Sequence, residues 1–312
     1  MARSFRWEFG PKRVIECRQK LGLKDHVLAC ADLTAEYGSI VMLEDDVMVS
    51  PQFYQYALKA LAFYQNDPRI AGISLYSFIY NEFAHVPFGA IDDGNDVYFV
   101  QSGVSWGQIW TRGQWSAFRE WHEANADTER FDAVPKAVRE WPKASWKKHF
   151  NAYMAAAGKY FVIPRNAMST NMGETGTHFV APVTHYTVPL SLSRACFRFV
   201  PLAESKCRYD AFFEIEADCL KALVPSLSQR DLCVDLNGTK ELQQMAAKYV
   251  LTLRSATDPL QSFGLRHMPP ELNIILGERG EFFHLARREN IRELLPEKIP
   301  ALRSFFQGPL SR

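Results

Sequence analysis

Three consecutive carboxylates, Glu44-Asp45-Asp46, are the residues of this chain best suited to chemistry. They follow a short apolar run, Ser39 to Leu43, which has the length of a buried strand. Adjacent carboxylates repel one another unless positive charge sits between them. A hard divalent cation, Mg²⁺ or Mn²⁺, relieves that repulsion, because it takes oxygen ligands and keeps positions open for phosphate oxygens. A solvated acidic loop is the simpler alternative. A phosphatase or a receiver domain would carry the same kind of cluster.

The elements around the acids must hold them in place. Ser50-Pro51 starts a helix whose apolar residues, Phe53, Tyr56, Ala57, Ala60, Leu61 and Tyr64, recur at helical spacing. Asn66-Asp67-Pro68 stops it. Ile70 to Leu75 reads as a second buried strand. The order strand, acids, helix, strand is a βαβ unit with its charge at the carboxyl edge of a sheet, where ligands of open α/β sheets bind.

A second stretch, Q-S-G-V-S-W-G-Q-I-W-T-R-G-Q-W, follows a strand predicted at Val97–Val100. Gly103 and Gly107 bracket Trp106, and glycine lets a backbone approach a ligand closely. An exposed indole face suits the apolar C–H face of a sugar. Trp110 and Trp115 read as core. Helices are predicted over 23–37, with Asp25 as N-cap, over 114–124, and from Trp146 with Phe150, Tyr153 and Met154 on one side. A short strand-like run covers 13–16, and another strand is expected at 160–163. Asp92-Asp93-Gly94-Asn95-Asp96 reads as a solvated turn.

The segment V-M-L-E-D-D-V-M-V-S-P-Q-F-Y-Q-Y resembles the metal-binding strand end of GT-A-fold glycosyltransferases. It is similar to the N-acetylglucosaminyltransferase I type, and more so to bacterial glycosyltransferases of polysaccharide gene clusters. The likeness continues in order through 98–120 and 141–179, about half the chain. It implies that Asp46 is the direct ligand of Mn²⁺ or Mg²⁺ and that Asp45 and Glu44 support it and the donor. It also implies that the segment with Gly103, Trp106 and Gly107 forms the floor under the donor sugar. W-P-K-A in the related enzymes precedes an acidic pair that includes the catalytic base; here Lys147 and Lys148 stand there. A protonated lysine cannot take a proton from an acceptor hydroxyl. N-A-M-S-T-N-M-G-E-T-G-T-H-F resembles a closing loop, with Glu174 as its only acid and so the substitute base. His178 is placed to reach the metal or the diphosphate. A GT-A domain opens with a strand and loop that hold the nucleotide base. Only about forty residues precede Glu44, so a start shortened relative to that family is expected.

Composition bounds these readings. At 312 residues, with 47% hydrophobic residues and a net charge of +1, the chain has a substantial core and no global field that selects nucleic acid. Six scattered cysteines without C-x-x-C spacing argue against zinc and fit reduced thiols in a cytoplasmic protein. The amino-terminal residues carry no secretory h-region, and no apolar run approaches the length of a membrane span. Scattered Lys and Arg are available for peripheral contact with an anionic membrane surface.

The expected fold is α/β: a GT-A-like mixed sheet flanked by helices over 1–183, then a smaller accessory α+β domain over 184–312. In that second part, helices are predicted over 209–223 and 242–253, and strands over 198–201, 271–276 and 281–285. Asp210, Glu214 and Asp235 read as structural or surface carboxylates. The function implied is metal-dependent, inverting transfer of a sugar from a nucleotide-diphosphate donor to a glycan or lipid-linked acceptor, in bacterial surface polysaccharide synthesis. The alternatives are a Mg²⁺-dependent phosphotransferase using Asp45 or Asp46, and a catalytically inactive relative that binds a sugar nucleotide or glycan.

Overall fold

The structure is a computed structural model and describes residues 2–126, 131–173, 186–193 and 196–307. The first half runs α1 (Leu23–Ala31), α2 (Thr34–Tyr37), β1 (Ser39–Met42), β2 (Val47–Val49), α3 (Phe53–Tyr64), β3 (Ile70–Ser74), β4 (Tyr80–Asn81), β5 (Val86–Pro87), β6 (Val97–Val100) and β7 (Gln108–Thr111). Then follow α4 (Arg112–Ala124), α5 (Lys136–Glu140), α6 (Trp146–Ala157), β8 (Tyr160–Pro164), β9 (Ser169–Asn171) and β10 (Arg208–Tyr209). The remainder is α7 (Ala217–Leu223), β11 (Leu232–Asp235), β12 (Tyr249–Thr252), β13 (Gln261–Phe263), α8 (Glu271–Ile275), β14 (Phe283–Arg287) and α9 (Lys298–Gln307).

The main sheet has the order β1-β7-β3-β8-β6-β10. β3 and β8 pair in parallel, β7 runs against both β1 and β3, and β6 runs against β8. The fold is therefore mixed α/β, with helices on both sides of a mixed sheet. Side-chain alternation along the strands explains the two layers. Val97, Phe99, Tyr160 and Val162 face one apolar cluster with Tyr56, Ala57, Ala60 and Tyr64 of α3. Tyr98, Val100, Phe161 and Ile163 face the other, with Phe118 of α4 and Phe150 of α6. Strands covered on both faces read as continuous apolar runs, and β3, β6 and β8 are buried throughout.

β1 departs from its expected burial. β7 is inserted between β1 and β3, so β1 lies at the outer edge and its four residues are only half-buried. The β1–α3–β3 crossover thus skips one sheet position. β7 lies in the glycine- and tryptophan-rich stretch, where the sequence shows no two-residue alternation to announce it. Thr111 then closes a capping box with Gln114 and starts α4. Trp110 and Trp115 are core, as expected.

Several expected elements are replaced. Residues 13–16 form no strand; Arg13 instead pairs with Glu36 at 2.9 Å. The helix expected over 23–37 is split into α1 and α2, and starts at Leu23 without a side-chain cap from Asp25. Asp32, at the break, accepts from Trp115 Nε1 at 2.7 Å. Residues 198–201 are not a strand, and 209–216 are not helical. The helix expected over 242–253 is a single 3₁₀ turn followed by β12. Tyr249–Thr252 pairs parallel to β11 and antiparallel to β14, and that pairing overrides local helical spacing. The strand expected over 271–276 is α8. Asn273 fixes that turn by accepting from Arg266 N and His267 N and donating to the carbonyls of His267 and Pro270.

Beyond residue 184 the chain still adds to the first sheet, because β10 pairs with β6. A four-stranded sheet, β11-β12-β14-β13, follows. One apolar cluster runs continuously from Val27 to Leu302 through both parts. All six cysteines are free thiols. Among the described residues no helix is long and apolar enough to cross a membrane.

Candidate functional site

Glu44, Asp45 and Asp46 occupy the turn between β1 and β2, at the sheet edge where β1, β3 and β8 end. β2 is held by β9 with Val47 opposite Asn171. That register brings Asn171 Nδ2 to Asp46 Oδ2 at 2.9 Å, and Met172 N donates to the Asp46 carbonyl at 3.3 Å. The other end of the Asn171 amide accepts from Gly173 N at 2.7 Å, so its orientation is set from both sides.

Asp45 and Asp46 are exposed and Glu44 is half-buried. Burial, with the charges of Asp46 and Asp45 adding to it, pushes the Glu44 carboxyl up to about 7. None of the three has an ion-pair partner among the described residues. Among the described residues, then, no cation is paired with the negative charge at this edge. Among the described residues no three His, Cys, Asp or Glu side chains converge as a ready-made metal cage. The donor set instead fits an open site for a hard cation, in which one or two carboxylate oxygens bind and ligand oxygens and water complete the shell.

Trp106 is linked to this turn through β9. Its carbonyl accepts from Ser169 Oγ at 2.5 Å. Ser169 and Asn171 are two residues apart on β9, so both side chains leave the same face of that strand. The same strand thus ties down the Trp106 backbone and the Asp46 carboxylate. The Trp106 ring lies between Tyr76, at 4.8 Å, and Tyr186, at 4.6 Å, and is partly buried against the core. Gly107 has φ +94, and a Cβ there would come within 3.0 Å of Leu75 Cβ and Ser169 Oγ. Its carbonyl accepts from Leu75 N at 3.0 Å. Glycine is required at this point by backbone conformation and by close packing. Gly103 has other surroundings: its N–H donates to Asn151 Oδ1 at 2.7 Å, and it packs against Phe150 of α6.

Glu174 and His178, the expected base and the expected metal or diphosphate contact, lie outside the described residues. The two lysines do different things. Lys148 is buried and donates to the carbonyls of Arg139 and Trp141, at 2.7 and 2.8 Å, which joins α6 to α5. Lys147 donates to Glu82 Oε1 at 2.6 Å and lies 5.2 Å from the centre of the Trp141 ring. Glu82 carries charge that is felt by Tyr76 and Tyr186, the two rings around Trp106. Sequence reasoning passed over Glu82, since a lone acid in a loop carries no spacing signal. Only the packing of the loop after β4 on the start of α6 brings it beside Lys147.

No protein-family model matches the chain, and no curated protein matches it.

Proposed function

We propose that this protein is a metal-dependent glycosyltransferase with a GT-A-like domain, which takes a sugar from a nucleotide-diphosphate donor. The observation that carries the reading is the acidic turn at the carboxyl edge of the sheet, which has no ion-pair partner among the described residues and in which Asp46 is oriented by Asn171. Asp46 would hold Mn²⁺ or Mg²⁺, with Asp45 and Glu44 supporting it. A bound divalent cation supplies charge neutralisation of a diphosphate leaving group.

The remaining roles fall to the chain's own residues. The Trp106 ring packs with Tyr76 and Tyr186, and only the part of this aromatic group left uncovered could meet a sugar. Gly107 keeps the backbone beside it free of a side chain. A carboxylate must take the proton from an attacking acceptor hydroxyl. Glu174, from the resemblance, and Glu82, from its place in the loop after β4, are our candidates for that role. Asn171 binds one oxygen of the Asp46 carboxylate and leaves the other for a ligand.

The ion pair of Lys147 with Glu82 favours one other reading, a non-catalytic relative that binds a sugar nucleotide or glycan. In that reading Glu82 is a structural counter-ion, occupied by Lys147 at 2.6 Å rather than by an acceptor hydroxyl. The deciding experiment is thermal shift of the full chain against a set of nucleoside diphosphates with and without Mn²⁺. A ligand that binds only the folded state raises the melting temperature. Mn²⁺-dependent stabilisation by one nucleotide, lost in Asp46→Ala, supports a donor site. Donor hydrolysis or sugar transfer then separates the enzyme from the binding relative. No stabilisation by any nucleotide removes the enzyme and the nucleotide-binding relative, and leaves only a glycan binder.

A further inference from the structure

The opposite edge of the main sheet carries a second chemical feature. β6 runs against β8 and β10 runs with β6, so both end at the edge away from the acidic turn. A cleft of about 1050 Å³ opens there, between the ends of β6 and β10 on one side and the segment 240–244 on the other. This is at the upper end of the ~300–1,000 Å³ usual for small-molecule sites.

The lining mixes apolar surface with polar groups and is nearly neutral. Its two cations are both engaged: Lys240 pairs with Asp210 at 2.6 Å, and Arg139 pairs with Glu241 at 2.8 Å. Asp132 adds one more acid. An anionic ligand would meet carboxylates that outnumber the cations. The one acid in excess, Asp132, is too little charge to select a cationic ligand strongly.

Hydrogen-bonding capacity nevertheless remains. A guanidinium has five N–H donors, more than the Arg139 Nη2 contact with Glu241 at 2.8 Å uses. The side-chain amide of Gln101 has no partner among the described residues, which leaves two donors and an acceptor open. Gln243 spends its NH₂ on Glu241 at 2.8 Å and keeps its carbonyl. Ala133 and Ala155 supply apolar wall between these groups, and the buried Phe212 ring lies beneath Lys240 Nζ at 5.4 Å. Lys240 and Asp210 are themselves rigid: Lys240 also donates to the Val234 carbonyl at 2.7 Å, and Asp210 accepts from Phe212 N at 2.8 Å and Glu214 N at 3.1 Å.

We propose that this cleft is a binding site for a neutral polyhydroxylated ligand, an oligosaccharide. Hydroxyls donate and accept at once, which matches a wall of planar amide, guanidinium and carboxylate groups whose charges are already paired. The C–H faces of a sugar match the alanine wall of Ala133 and Ala155. The site is separate from the acidic turn and does not depend on what that turn does.

The test is binding of the purified full chain to an array of immobilised neutral oligosaccharides, repeated with Gln101→Ala, Gln243→Ala, Arg139→Ala and Asp46→Ala. The expected result is binding to at least one neutral oligosaccharide, weakened about ten-fold by Gln101→Ala or Arg139→Ala, the size of one lost hydrogen-bonded contact. Binding by Asp46→Ala should match that of the parent chain. Gln101 and Gln243 make no side-chain contact that closes the core, so these two variants keep the test sharp if Arg139→Ala unfolds. Absence of binding to every neutral oligosaccharide overturns the assignment. So does binding that survives all three cleft variants, or binding that only Asp46→Ala removes.

Discussion

Asn171 donates to Asp46 at 2.9 Å while its own carbonyl is held by Gly173 N. The last acid of the triplet is therefore oriented by a strand more than a hundred residues further along the chain. Asn171→Ala should keep the fold and weaken Mn²⁺-dependent nucleotide binding about five-fold, in line with the ~1 kcal/mol of a net hydrogen bond at an exposed acid. Isothermal titration of nucleoside diphosphate with Mn²⁺ reads this directly. An unchanged Kd would show that Asp46 needs no orientation.

Gly107 is the backbone hinge of the same region. Its φ is +94, and a methyl group at this position would approach Leu75 and Ser169 to 3.0 Å, which leaves no room for alanine. Gly107→Ala should cost about 2 kcal/mol, combining left-handed strain and overpacking. Urea denaturation gives the value. A loss below a few tenths of a kcal/mol would refute the close approach.

The Glu82–Lys147 pair, at 2.6 Å and with side chains 21% and 12% exposed, is mostly removed from water. Lys147→Met leaves Glu82 partly buried without its counter-ion. A stability loss of about 2 kcal/mol is expected, somewhat below the ~3–5 kcal/mol of a fully buried broken pair. The double variant Lys147→Met with Glu82→Gln should recover much of it. If the double variant is no better than the single one, the coupling is absent.

His122 and His149 stack edge to face with ring centres 4.9 Å apart. Burial, reinforced by His149 and nearby basic groups, lowers His122 to about 4, and burial also lowers His149. Both rings stay neutral in the folded chain, whereas the unfolded chain takes up protons near pH 6.5. The unfolded state binds more protons between about pH 4 and 6.5, so acidification through that window destabilises the fold and a return to neutral pH restores it. The melting temperature should fall on going from pH 6.5 to 4, and less steeply in His122→Phe. Equal slopes for the two proteins would exclude these histidines as the cause.

Much of the framework is legible in the sequence, because it rests on short-range pattern. The apolar periodicity from Phe53 to Tyr64 announces α3, and it buries Tyr56, Ala57, Ala60 and Tyr64 as helical spacing requires. Apolar runs announce β3, β6 and β8, since a strand covered on both faces must be apolar throughout. The placement of three acids directly after a strand also follows from order along the chain. What the tertiary structure alone decided depends on distant partners. β7 enters between β1 and β3 and sends β1 to the sheet edge. β12 is a strand because β11 and β14 flank it. Asn171 reaches Asp46, and Glu82 reaches Lys147, only across loops. A pairing between residues far apart in sequence leaves no periodic trace in either segment, so its partners become visible only when the chain has closed.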